Sequence, residues 1–353
     1  MVRALALARR GCGHTRPNPP VGAVIVRGGE VVGEGFHRKA GTDHAEVAAI
    51  RSARRRFGGA ADAALRDATL YVTLEPCSRP GRVGACTDAI AAAGIPRVVY
   101  AVPDPNPTNR GRAARVLARA GVRCERFHGD ADVHAAARRL IAPFAKHVTT
   151  GLPYVTVKIA LSLDGRICDD GGQARWISSA QARARTGLLR AEVDAILVGA
   201  ETVRRDNPSL LCHQKRNDDL LRVVVSKSGN LPGDAQVFAD GRNPTLVFSD
   251  AAEAIRDLGR RGALHVLCEG GLKLATSLAE AGLVDEWLTV LSPCVIGSRP
   301  IGEALRLKLD SCVCCDANTG DVLARFTIGR PWPPSPFFGK MPANPDIKTP
   351  PVP

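Results

Sequence analysis

The chain has 353 residues, 45% of them hydrophobic, and a formal charge of +13, a length that suits two domains and a remainder. It contains no apolar run of membrane-spanning length and no basic start followed by an apolar stretch, so neither a membrane span nor a secretory leader is indicated and a cytoplasmic protein is expected. Its basic residues fall in short groups such as Arg54-Arg55-Arg56 and Arg204-Arg205, and aromatics make up only 4%, which argues against a nucleic-acid surface built on a basic stripe and stacking platforms.

Taken in chain order, residues 21–26 and 30–34 read as a hairpin around Gly28-Gly29, which supply the positive φ of a two-residue turn. Residues 44–56 read as a helix with Thr42 or Asp43 as N-cap. The β-branched run at 69–74 is a strand that delivers Pro76-Cys77 at its end, followed by a helix at 87–93, a strand at 97–102 and a helix at 111–120. A helical stretch at 131–146 leads into Thr149-Thr150-Gly151, which places a boundary near residue 148. Beyond it come strands at 155–160, 195–199, 221–226 and 265–269, a helix at 179–190, and a second helix opened by Glu269-Gly270-Gly271 and running through Leu278. Strands alternating with helices predict layered α/β domains at 1–147 and 148–330. The Pro-rich tail at 331–353 lacks an apolar period and is expected to be disordered.

One constellation carries chemistry. His44, Cys77 and Cys86 offer an imidazole and two thiolates, leaving a fourth tetrahedral position open as in a catalytic zinc site. Zinc lowers the pKa of a bound water from about 15.7 to about 7. Glu46, two residues past the histidine, is not needed as a ligand and can shuttle protons; this H-x-E…P-C order is the zinc deaminase signature. Eight residues separate the cysteines, where the general pattern has two. The cysteines, eleven in all, are too irregular for a disulfide framework, and those outside this set fit buried thiols in a reducing compartment. Adjacent cysteines on a strand point to opposite faces, which disfavours a second metal site at Cys312-Val313-Cys314-Cys315.

The longer cysteine spacing, with Thr73-Leu74-Glu75-Pro76-Cys77-Ser78, Gly81-Arg82, Pro17-Asn18-Pro19 and Asp104-Pro105-Asn106-Pro107, resembles the bifunctional riboflavin-biosynthesis deaminase/reductase family. The second half resembles it through Lys158, Ser162-Leu163-Asp164-Gly165-Arg166, Arg175-Trp176-Ile177-Ser178 and Asp206-Asn207-Pro208. The resemblance implies a cytidine-deaminase-like three-layer domain followed by a dihydrofolate-reductase-like domain, with zinc and NADPH as cofactors. It implies phosphorylated ribosylaminopyrimidine substrates and a homo-oligomer. On the deaminase side Asn18 would meet the pyrimidine, and Arg82, Asp104 and Asn106 the ribose phosphate. On the reductase side Trp176, Thr202, Asp206, Gly271, Leu272, Lys273, Leu274, Ala275, Thr276 and Ser277 would contact NADPH, while Arg190, Leu210 and Glu269 would contact substrate.

The chain departs from the family's usual pattern at Arg79-Pro80, at Val83-Gly84-Ala85, at Leu211-Cys212-His213 and at Lys227, and residues 248–265 read as short by a strand and a loop. The departures in the second half frame one alternative, a deaminase with a degenerate reductase domain, and the positive charge frames another, a nucleobase or tRNA deaminase with a basic RNA-binding domain. A zinc-stabilised scaffold without turnover is disfavoured by Glu46, which a structural site does not need.

Overall fold

A computed structural model of the chain describes residues 1–79, 84–162, 164–168, 177–212, 217–292, 308–314 and 322–327. The first half runs α1 (Val2–Arg9), β1 (Gly22–Arg27), β2 (Glu30–Phe36), α2 (Ala45–Phe57), α3 (Ala61–Leu65), β3 (Thr69–Leu74), α4 (Cys86–Ala92), β4 (Arg97–Val102), α5 (Arg112–Arg119), β5 (Arg123–Arg126) and α6 (Ala131–Thr150). Its sheet is ordered β2-β1-β3-β4-β5, antiparallel through β3 and parallel from β3 to β5. Gly28 and Gly29 take φ of 55° and 84° at the predicted hairpin turn, which a side chain would oppose.

Both faces of this sheet are covered. Ala45, Ala49 and Ala53 of α2, Ile90 of α4 and Leu117 of α5 pack on Ile25, Leu70, Val72 and Val98. On the other face Leu5 and Ala8 of α1 and Leu140 and Ile141 of α6 pack on Leu74, Ala101 and Val102. The result is a three-layer α/β/α sandwich. Glycines inside β2 set how closely the helix approaches: a Cβ on Gly33 would lie 2.5 Å from the Ala49 carbonyl oxygen, and one on Gly35 2.5 Å from the Ala49 nitrogen. Strand interiors use glycine where another backbone comes this near.

Helix α6 extends to Thr150, past the predicted end at 146, and stops at Gly151 with φ of 75°. The second half comprises β6 (Tyr154–Ser162), α7 (Ala180–Gly187), β7 (Ala195–Gly199), α8 (Ala200–Asp206), β8 (Leu221–Val225), α9 (Gln236–Ala239), β9 (Thr245–Phe248), α10 (Ala251–Arg260), β10 (His265–Cys268), α11 (Leu272–Glu280), β11 (Glu286–Ser292), β12 (Lys308–Cys314) and β13 (Val322–Thr327). The sheet order is β12-β13-β11-β6-β10-β7-β8-β9, parallel from β11 to β9, with β13 and β12 added antiparallel. Helices cover both faces, α10 and α11 over one core and α7, α8 and α9 over the other, so its central strands read as continuous apolar runs.

The helix predicted at 179–190 is shorter, ending at Gly187 before a 3₁₀ turn at Leu188–Ala191. The stretch between Phe248 and His265 is one direct crossover: Ser249-Asp250 turn β9 into α10, capped by the Asp250 carboxylate on the Glu253 N–H at 2.8 Å. Among the described residues no strand lies beyond β9 on that edge. Polar ties join the halves: the Arg16 guanidinium donates to the Asp219 carbonyl at 2.6 Å, and Lys146 of α6 pairs with the buried Asp285 ahead of β11.

Candidate active sites

His44 itself occupies the N-cap position of α2, with extended backbone at φ −69° and ψ 163° and no side-chain cap bond. The predicted caps are engaged elsewhere: the Thr42 hydroxyl donates to the Lys39 carbonyl at 2.7 Å and Asp43 pairs with Arg51. Cys77 follows the end of β3, and Cys86 is the first residue of α4. His44 Nδ1 lies 3.2 Å from Cys86 Sγ and 3.5 Å from Cys77 Sγ, and all three ligand atoms fall within 4.8 Å of one another. The Cys86 N–H donates to Cys77 Sγ at 3.3 Å, so the second thiol lies beside the first despite the eight residues between them. Two helix N-termini converge here, an arrangement that favours anionic ligands.

The donor set calls for a dication. A hydrogen bond from Cys86, aided by His44, brings Cys77 down to about 4 despite burial. Cys86 is driven the other way, well above the usual thiol range, by that same shared bond and by burial. Neighbouring sulfurs cannot both ionise here without positive charge between them, and a zinc ion deprotonates coordinating thiols outright. His44, Cys77 and Cys86 therefore fit zinc. Burial, with Cys77 nearby, lifts the Glu46 carboxyl to about 7; at 3% exposure it faces the metal ligands and not bulk water.

Buried polar residues frame this centre. The Glu75 carboxylate accepts N–H bonds from Asp104 at 3.1 Å, Gly111 at 3.0 Å and Ala113 at 3.2 Å, fastening the loop after β4 to the end of β3. Asn109 accepts from the Ser78 N–H and hydroxyl, both at 2.8 Å, and donates to the Asp104 carboxylate at 2.9 Å. Asp104 also accepts the Asn106 N–H at 2.8 Å, while the Asn106 side-chain Oδ1 accepts from Thr108. Asn18 donates its amide to His37 Nε2 at 3.1 Å, and the His37 ring stands edge-on to His44 with centroids 5.2 Å apart.

A second cleft, of about 1220 Å³, opens at the carboxyl ends of β6, β7 and β10, where open α/β sheets hold their ligands. Thr202 and Asp206 of α8 line it, as do Lys158, Glu269 and residues 270–274. On its floor the buried Glu269 carboxylate accepts from Arg190 Nε at 2.7 Å and pairs with Lys158 Nζ at 3.8 Å. Burial raises this carboxyl, but the two cations prevail and hold it below the usual range. Gly271 caps α11 with no side-chain bond, so the first N–H groups of the helix are available to an anion.

Comparison with known proteins agrees with both sites. Residues 1–102 match the cytidine and deoxycytidylate deaminase zinc-binding region, and residues 153–318 match the RibD C-terminal domain. The riboflavin biosynthesis protein RibD of Escherichia coli K12 is 38% identical over 338 residues, covering 86% of this chain and 89% of that protein. The chain belongs to the RibD family. It is a zinc-dependent deaminase fused to an NADPH-dependent reductase of riboflavin biosynthesis, on the two-domain α/β fold that the motifs imply. The RibD protein of Aquifex aeolicus is 34% identical, over 87% of this chain and 92% of its own. The Thermotoga maritima structure, titled a diaminohydroxyphosphoribosylaminopyrimidine deaminase/5-amino-6-(5-phosphoribosylamino)uracil reductase, superposes with a TM-score of 0.83 at 32% identity, covering 93% of this chain and 97% of that one. Acinetobacter baumannii RibD superposes at 0.76, also at 32% identity, covering 93% and 98%.

Within this RibD-family frame, His44, Glu46, Cys77 and Cys86 stand together, and Thr202, Asp206, Gly271, Leu272, Lys273 and Leu274 line the second cleft. Ala275 is buried in the core behind that first turn, with Thr276 and Ser277 farther along the helix. The Leu210 side chain also packs in the core, in a left-handed backbone at φ 60°. Arg82, Trp176, His213, Lys215, Arg216, Cys315 and the Pro-rich tail lie outside the described residues. Lys227 is exposed just past β8. Sequence reading missed His37, Glu75 and Asn109. Only Glu75 carried a signal, an acid set directly before Pro76-Cys77 at the end of an apolar strand.

Proposed function

We propose that the first site removes an amino group from diaminohydroxyphosphoribosylaminopyrimidine, and that the second reduces the ribosyl chain of the resulting aminouracil phosphate to ribityl. The observation that carries the first step is the buried Glu46 carboxyl set against three converging ligands that fit zinc. When bound, zinc supplies the Lewis acidity that makes water a competent nucleophile near neutral pH. Glu46 carries the water's proton first to the ring nitrogen and then to the departing nitrogen. The water oxygen bonds to the ring carbon, the exocyclic C–N bond breaks, the amino group leaves as ammonia, and a ring carbonyl remains. Asn18 meets the pyrimidine, and Arg82 and Asn106 hold the ribose phosphate. Asp104, its carboxylate engaged by Asn106 and Asn109, shapes that loop.

In the second site NADPH supplies the hydride. Trp176, Thr202, Asp206 and the segment from Gly271 to Ser277 hold the cofactor, with backbone N–H groups at the start of α11 toward phosphate. Arg190, Leu210 and Glu269 orient the substrate, and Lys158 stands beside Glu269 to pair with an anionic group. The excess positive charge serves phosphorylated substrates and not nucleic acid. We assign residues 1–147 to the deaminase, 148–330 to the reductase and 331–353 to a tail. Free thiols at Cys12, Cys77, Cys86, Cys124, Cys168, Cys212 and Cys268 support a cytoplasmic, reducing setting, and no described helix is long and apolar enough to cross a membrane. Closed symmetric assembly is the usual state of such enzymes, and we assign a homo-oligomer.

The test is to give zinc-loaded protein this pyrimidine and follow ammonia release and NADPH oxidation as separate signals. Ammonia should appear with or without NADPH, and NADPH oxidation should follow it. Ammonia from cytidine or tRNA, with none from this pyrimidine, would contradict the assignment.

A further inference from the structure

His37 is absent from the proposed reaction, yet it is 2% exposed and lies between Asn18 and the ligand His44. Its backbone is tied down by the bond from its N–H to the Val21 carbonyl at 2.9 Å. Its ring Nδ1 stands 2.9 Å from the Asp43 carbonyl oxygen. A carbonyl can only accept, so Nδ1 carries the ring proton. Nε2 faces the Asn18 amide nitrogen, which can only donate, so Nε2 is the acceptor, with one lone pair. The Asn18 amide lies 3.1 Å from that lone pair, and only its NH₂ end can meet it. The amide is thereby turned one way: Nδ2 toward His37 and Oδ1 away from it. Among the described residues Oδ1 makes no hydrogen bond.

We propose that His37 is a positioning residue that locks the Asn18 amide, so that its oxygen and not its nitrogen is presented to the heterocycle. The deaminase site then selects pyrimidines that offer an N–H donor at that edge, as an amino-substituted pyrimidinone does, over rings that offer only acceptors. The chain of bonds is one-directional. The Asp43 carbonyl fixes the His37 tautomer, His37 fixes the Asn18 rotamer, and Asn18 reads the substrate. This rests on the assignment of Asn18 as a pyrimidine contact.

A double-variant cycle on full-length, zinc-loaded protein tests it, with ammonia release as the signal. His37→Phe keeps a planar ring but removes both nitrogens. It should raise KM for the pyrimidine about ten-fold, the cost of one misdirected hydrogen bond, with zinc content and NADPH oxidation on the deaminated intermediate unchanged. His37→Gln can donate to Asp43 and accept from Asn18 with the same amide, and should stay within about two-fold of the parent. In an Asn18→Ala background, His37→Phe should change KM no further, because a residue acting only through Asn18 has nothing left to orient. Multiplying effects in the double variant, loss of zinc from His37→Phe, or a His37→Gln KM as high as that of His37→Phe would each overturn the proposal. An Asn18→Ala protein with the parent KM would overturn it through Asn18 while leaving the deaminase assignment standing. No ammonia from the parent protein would overturn both.

Discussion

At the scale of single residues, the His44, Cys77 and Cys86 cluster was legible because metal chemistry restricts residue type and order so tightly. An imidazole, a nearby acid and two thiols in that sequence have few other uses. The polar residues behind them were not legible, because their partners are remote in the chain. Glu75 receives three backbone N–H groups from residues 29 to 38 positions downstream, and no local pattern announces such a bond. His37 reads as an ordinary residue after a strand until the fold sets it against Asn18 and His44. Glu75 also yields a prediction. Replacing it with alanine strands three backbone donors, two of them buried, at roughly 1–3 kcal/mol for a buried group left unpaired. Glu75→Ala should therefore lose about 2–4 kcal/mol in urea denaturation, and its loosened 104–113 loop should raise KM for ammonia release. Parent-like stability would mean that water takes over all three bonds.

At the scale of elements, strands and helices with clean period and turn chemistry were read from the sequence to within a few residues, as with β1, β3, α2 and α5. Two of the missed strands share a cause. Strands β5 and β9 are short edge strands with mixed burial, so neither alternation nor a continuous apolar run marks them. Helix α10 follows β9 after only two residues, and reading that segment as missing an element came from expecting a longer connection. The glycines of β2 looked like weak strand material, but they are what lets α2 lie directly on the sheet. Because His44 caps α2 and Glu46 lies in its first turn, its seating sets the metal site. Gly35→Ala places a methyl 2.5 Å from the Ala49 nitrogen, and overpacking of this kind costs about 1–3 kcal/mol. The variant should lose that much stability and bind zinc more weakly, as metal titration against a chromogenic chelator would show. NADPH oxidation on the deaminated intermediate should persist.

At the scale of the whole molecule, the two-domain plan followed from two motif sets in order along the chain, whereas the contacts between the halves came only with the structure. Arg16, Lys39 and Lys146 each reach across to the second half. The buried polar network there has a consequence for pH. His265 is fully buried, bonded through Nε2 to Thr156, and burial pushes it down to about 3. The unfolded chain takes up that proton near pH 6.5. Between about 6.5 and 3, then, the unfolded state binds a proton that the folded state refuses, and stability falls as pH falls through that window. Above it the term is constant. Asp194, whose carboxyl burial raises, opposes this slightly by holding its proton more readily in the fold. Melting temperature should fall between pH 6.5 and 4.5 in the parent and fall less steeply in His265→Gln; equal slopes would remove His265 from the account.

The central claim is that one chain holds two chemically separate sites, the first organised around Glu46 and zinc and the second around Glu269 and NADPH. Glu46→Gln measured on both reactions tests it most directly. The substitution keeps the shape of the side chain but removes its proton traffic. Ammonia release should drop by at least about a hundred-fold, with zinc still bound, while NADPH oxidation on supplied deaminated intermediate stays at the parent rate. Ammonia release that survives Glu46→Gln, or the loss of both reactions together, would contradict it.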